Sequence, residues 1–312
     1  MNIIVSDHVE KEAIEYLRKN HVVAYEPEIS MEGLKKKIAD FDAIIVRSRT
    51  KVTKDIISSS NLKVIGRAGI GVDNIDVKEA TSRKIPVVYA PGSSTQSVVE
   101  LAIGLMVALA RDFVHLNEET HSGNWLKGKV KGMELAGKTL GIYGLGRIGK
   151  EVGRVAMSIG MKVHAYDPFV KEAGDIVMYT DFHEFLKSLD ILTIHAVLTD
   201  QTRHSIDEKE FAVMKEGIFI MNLSRGEIIN ENALVNALDS KKVRGVALDV
   251  YEKEPPTSSP LVKYKNVIML PHIGAATVEA QYRAGMIVAQ EVDKALTGKS
   301  ILYCVNPEVL SK

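Results

Sequence analysis

Three residues far apart in the chain carry side chains suited to moving a proton beside a bound carboxylate: Arg225 in NLSRG, Glu254 in DVYEKEPP and His272 in LPHIGAAT. An imidazole accepts a proton near neutral pH, an acidic neighbour can hold and charge it, and a guanidinium grips a planar carboxylate two ways. Taken singly, each has a plain structural explanation as a loop histidine, a solvated acid beside two prolines and a capping cation. Their positions set them apart. Each lies at or beyond the end of a short apolar run, as do Asp167, His195, Ser224 and Asp249. In an open parallel sheet that edge is where ligands bind.

The element that must organise such a sheet is residues 139–167, TLGIYGLGRIGKEVGRVAMSIGMKVHAYD. The apolar run 140–143 stops at glycine, Ile148, Val152, Val155 and Ile159 recur at helical spacing, and 163–166 is again extended and apolar. The stretch therefore reads as strand, turn, helix, strand. In its GLGRIG turn, Gly144 permits the tight bend, Gly146 admits a pyrophosphate close to backbone N–H groups, and Gly149 lets helix and strand approach. Asp167, 18 residues beyond Gly149, is spaced to bond an adenosine ribose and to repel a 2′-phosphate. The expected cofactor is NAD rather than NADP.

With 312 residues, 46% of them hydrophobic and 26% charged, the chain has the length of two globular domains. Forty basic residues balance forty acidic ones, so neither nucleic acid nor a membrane is an expected partner, while local clusters stay open. The longest apolar run, 101–110, has ten residues against the roughly 20 that a membrane span needs. The chain enters an apolar strand without a charged leader, and its one cysteine, Cys304, cannot form an internal disulfide. Both features predict a cytoplasmic location. No metal site is expected.

Residues 1–90 alternate apolar runs (NIIVS, VVAY, AIIV, LKVIG, PVVYA) with helical stretches, which predicts a smaller parallel-sheet domain without a nucleotide turn. The PGSS stretch at 91–94 marks a boundary, and SVVE at 97–100 has the form of a capping box opening a long apolar helix. Residues 121–137 read as a helix end and an exposed arm. Beyond 139, five further strands are expected at KVHAY, ILTIH, IFIMNLS, VRGVALDV and VIMLP, and a last helix over 277–296.

Following GLGRIG, the motifs NLSRG, ALDVYEKEP and LPHIGAAT resemble the D-isomer-specific 2-hydroxyacid dehydrogenases. GRAGIGVDNID at 66–76 and RSRT at 47–50 resemble the branch of that family acting on a phosphorylated three-carbon hydroxy acid, and the likeness covers nearly all of the chain. The resemblance implies that Arg225 binds the substrate carboxylate, that His272 transfers the proton, and that Glu254 raises the pKa of His272. It implies cofactor contacts from Arg147, Ile148, Asp167, His195, Ser224, Asp249, His272 and Gly274, and a homodimer joined through 97–137. It further implies two doubly wound α/β domains with a cleft that closes over substrate. These are a Rossmann nucleotide-binding domain, 96–282, and a flavodoxin-like substrate domain, 1–95 with 283–312.

Phosphate oxygens favour guanidinium forks, so Arg47, Ser48 and Arg49 after AIIV are candidates to bind substrate, although alternation along an extended segment aims one arginine away from the other. The backbone amides of Gly69, Ile70, Gly71 and Val72 are candidates to bind its carboxylate. Two departures stand out. His195 is followed by Ala196 and Val197 where the family commonly has threonine and proline, and the chain ends at Lys312, so the serine-binding regulatory domain of that branch is not expected. An unphosphorylated substrate, as in glyoxylate or hydroxypyruvate reductases, remains open, as does an NAD-sensing role like that of certain corepressors.

Overall fold

The computed structural model of the chain describes residues 1–310, which form two compact units, Met1–Ser94 with the chain from Ala275 onward, and Thr95–Gly274. The first holds a parallel sheet of β1 (Asn2–Val5), β2 (Val22–Tyr25), β3 (Ala43–Val46), β4 (Val64–Arg67) and β5 (Val87–Tyr89), in the order β2-β1-β3-β4-β5. That is the flavodoxin order. The chain re-enters this unit at Ala275, where 283 was expected, and the helix Val278–Leu296 lies wholly within it. Thr277 caps it by accepting from the Ala280 N–H, and Ala284, Val288, Ala289 and Val292 lie in one apolar cluster with Ile3, Val5, Leu17 and Val88.

The second unit holds β6 (Thr139–Tyr143), β7 (Lys162–Tyr166), β8 (Val177–Tyr179), β9 (Ile191–Ile194), β10 (Ile218–Asn222), β11 (Val243–Leu248) and β12 (Val267–Met269). All run parallel in the order β12-β11-β10-β9-β6-β7-β8, the Rossmann winding with its reversal between β6 and β9. Every residue of β6, β9 and β10 is buried, as expected of strands covered on both faces by helices. Two local readings of the sequence need correction. The long helix starts at Thr95, so Ser97 lies buried in its first turn instead of capping it. The short edge strand β8 was not anticipated, because three half-exposed residues carry no alternation to read.

The open edge of the first sheet is closed by the chain end, where Val305 N donates to Val87 O (2.8 Å) and Cys304 bridges Val88 antiparallel. Asn306, 2% exposed, accepts from Val87 N (2.8 Å) and donates to Ile85 O (3.0 Å) and Thr81 Oγ1 (2.9 Å). Replacing it leaves a strand amide and a carbonyl buried without partners. Asn306→Ala is expected to lower unfolding stability by about 2 kcal/mol, read as a shifted urea midpoint at unchanged slope.

Candidate active site

Where β6 and β9 part, the chain makes its glycine turn. Gly144 has a φ of +93°, and a side chain there would overlap the backbone of Ala196. At Gly149 a Cβ would overlap the carbonyl oxygen of Gly144. Gly146 differs, for nothing lies within 4 Å of its missing Cβ, and it precedes the helix Arg147–Ser158 without offering a side-chain cap. Open space above amides that lack a side-chain acceptor fits a pyrophosphate. Arg147 and Ile148 form the first turn below it. Asp167 holds the turn from the side, accepting from Leu145 N (2.8 Å) and Phe169 N (2.9 Å), and each oxygen keeps a lone pair for a ribose hydroxyl. His195 lies beyond β9 with Nε2 2.9 Å from Thr193 Oγ1, and loss of solvation brings its pKa down to about 4. It is a neutral ring at physiological pH.

The loops carrying Arg225, Glu254 and His272 leave the same edge from the neighbouring strands β10, β11 and β12. Glu254 and His272 meet: Nδ1 of the ring lies 3.0 and 3.2 Å from the two carboxylate oxygens. His272 has a φ of +56°, a conformation that side chains other than glycine seldom adopt. Asp249 secures it, accepting from Ile273 N and Gly274 N, both at 2.7 Å. Asp249 is 2% exposed, and its pKa is raised by burial in spite of those two bonds. Gly274 is itself buried against Asp249, so its N–H serves the loop.

Arg225 donates from Nη1 to Ser224 O (2.7 Å), while Asn222 braces this loop, donating to Arg225 O (2.9 Å) and accepting from Ser224 N (3.1 Å) and Oγ (3.2 Å). The Asn222 carbonyl accepts from Asp249 N (3.0 Å), which ties the arginine loop to the carboxylate securing His272. The Tyr251 hydroxyl spans Leu248 O (3.2 Å) and Leu270 O (2.8 Å), with its pKa pushed up to about 12, chiefly by burial. Asn222 and Tyr251 were missed in the sequence. The one signal for Asn222 was a polar residue closing the apolar strand IFIMN.

In the first unit Arg47 follows β3, donates its N–H to Asp7 Oδ2 (2.6 Å) and lines a cavity of about 30 Å³ with His8, Gly69, Ser93 and Gln281. Arg49, also a candidate for substrate, is bonded within its own unit. Its Nη1 donates to Ile29 O (3.1 Å), Nη2 to Ser6 O (2.5 Å), and Nε lies 3.4 Å from Asp7 Oδ1. Ser48 is exposed between the two arginines. The Gly69 N–H is taken by Arg67 O (2.8 Å), which leaves Ile70, Gly71 and Val72 as the donors of their loop.

Residues 103–274 match the model of the D-isomer-specific 2-hydroxyacid dehydrogenase NAD-binding domain. The chain belongs to that family. It is 45% identical to a D-3-phosphoglycerate dehydrogenase of Methanocaldococcus jannaschii over 98% of this chain and 59% of that one, and so spans about three fifths of that relative's length. It is 44% identical to a hydroxypyruvate reductase of Thermotoga maritima over 94% of this chain and 97% of that one. Its fold matches a glyoxylate reductase of Paecilomyes thermophila with a TM-score of 0.91 at 31% identity, over 99% of each chain. The glycine turn lies within the part of the chain that matches the family's NAD-binding domain, and its three glycines differ in what surrounds them. Gly146→Val should fold with unchanged thermal stability and lose at least tenfold in NADH affinity, whereas Gly149→Ala should lose both, as read by melting and by NADH fluorescence titration.

Proposed function

We propose that this chain oxidises D-3-phosphoglycerate to 3-phosphohydroxypyruvate with NAD, the entry step to serine, acting in the cytoplasm as a homodimer. The observation that carries this reading is the Glu254–His272 pair, held on a loop that a buried carboxylate locks in place. With Nδ1 donating to Glu254, Nε2 is left as the base for the proton of the substrate hydroxyl. Arg225 binds the substrate carboxylate through its fork and, in the reverse direction, polarises the carbonyl. Bound NAD supplies the acceptor for the hydride that leaves the same carbon. Arg47 serves the phosphate. The homodimer reading is supported by the helix Phe113–His121, which buries none of its side chains, and by exposed Phe113 and Trp125 in the segment 97–137.

A second reading, reduction of hydroxypyruvate, is favoured by the Thermotoga relative, which this chain matches over nearly its full length. The same residues serve it, with His272 returning the proton. Initial rates with D-3-phosphoglycerate and NAD, and with hydroxypyruvate or glyoxylate and NADH, separate the two. On the first reading Arg47→Gln raises KM for the phosphorylated acid at least tenfold and leaves hydroxypyruvate within about twofold; equal effects on both transfer the assignment to the reductase. In either direction His272→Gln should lower kcat by about 100-fold or more, the usual share of general acid–base catalysis, with NADH affinity unchanged.

A further inference from the structure

Just beyond β1, hydrogen bonds from two residues of the loop after β3 converge on Asp7, a carboxylate only 2% exposed. Its oxygens accept from Arg47 N (2.6 Å), from Thr50 N (3.1 Å to each) and from Thr50 Oγ1 (2.5 Å). Residues 48 and 49 bend the chain between these donors, so both ends of RSRT meet the same group. A buried carboxylate needs a counter-charge, and Arg49 supplies it, with Nε 3.4 Å from Asp7 Oδ1. On the other side of the loop Asn74 donates from Nδ2 to Arg47 O (3.0 Å) and Thr50 O (2.7 Å), while its own carbonyl accepts from Val52 N (2.8 Å).

Arg47 is therefore held by both of its backbone polar groups, its N–H by Asp7 and its carbonyl by Asn74. Its guanidinium differs, for it has no hydrogen-bond or carboxylate partner among the described residues. A fixed backbone beneath an uncommitted fork suits an arginine kept for a ligand, because binding then has only the side chain left to immobilise. Arg49, by occupying Asp7, also keeps that carboxylate from drawing the Arg47 fork onto itself. Neither anchor is open to a substrate: Asp7 is buried, and both Nδ2 hydrogens of Asn74 are taken.

We propose that Asp7 and Asn74 are positioning residues for Arg47, and that through it they set the preference for a phosphorylated acid over an unphosphorylated one. This inference rests on the reading that Arg47 serves the phosphate. The test is initial rates of Asp7→Asn and Asn74→Ala with D-3-phosphoglycerate and NAD, and with hydroxypyruvate and NADH. Each variant should raise KM for the phosphorylated acid at least fivefold, with kcat and the KM for hydroxypyruvate within twofold. Added to Arg47→Gln, neither should raise that KM further, since the group through which they act is gone. Effects that fall equally on both substrates, or that persist undiminished beside Arg47→Gln, mark a merely structural role and overturn the proposal. Should Asp7→Asn melt below the assay temperature, Asn74→Ala, which removes no charge, decides. Arg47→Gln without a selective effect overturns the phosphate reading and this inference together. A selective Arg47→Gln beside unselective Asp7→Asn and Asn74→Ala overturns the inference alone.

Discussion

The close approach of Gly144 to Ala196 is the constraint from which the cofactor site follows. Neighbouring strands lie about 4.8 Å apart, and where the winding reverses the two chains leave in opposite directions, opening a crevice. The turn after β6 must bend sharply at that point, and only a residue without Cβ fits between it and the backbone after β9. Gly149 continues the same economy of space by seating the helix against the Gly144 carbonyl. Together they aim the helix amides into the crevice, with Gly146 leaving the way clear.

Those features were legible in the sequence because they depend on local rules: glycine spacing, apolar periodicity and the distance to Asp167. The two parallel sheets followed from alternation of strand and helix patterns for the same reason. What stayed hidden depends on partners distant in the chain. Arg49 looked as free as Arg47, yet Ile29, Ser6 and Asp7 claim its guanidinium. Asp249 and Asn222 could be placed at strand ends but not assigned their bonds, since Asp249 reaches 24 and 25 residues ahead to Ile273 and Gly274. Ser97 misled because a serine three residues before a glutamate satisfies the capping pattern even when the helix has already begun.

The two edges of the second sheet carry different kinds of polar group. At the carboxyl edge the charged side chains are bound into one another's loops, as with Asp249, Asp167 and the Glu254–His272 pair. Geometry there is set before a ligand arrives, as a reacting centre requires. At the amino edge Lys215 pairs with Asp190 and Lys242 with Glu216, whereas Arg111, Lys129, Lys131, Arg244 and Lys265 are exposed and, among the described residues, pair with no carboxylate. Such groups set attraction more than orientation. A sheet core of buried aliphatic side chains separates these two environments.

His272 shows how the carboxyl edge sustains an unfavourable backbone. A left-handed conformation costs a residue with a Cβ about 1–2 kcal/mol. The two amides that follow bond a buried carboxylate at 2.7 Å, and hydrogen bonds to charged groups contribute about 1.5–3 kcal/mol each. Those bonds offset part of the desolvation of Asp249, the effect that raises its pKa. Tyr251 adds a bridge between the flanking loops. The anchored loop presents the imidazole in one orientation, with Nδ1 toward Glu254 and Nε2 turned away from it. A looser loop would let the ring rotate and lose the distinction between its two nitrogens, on which directed proton transfer depends.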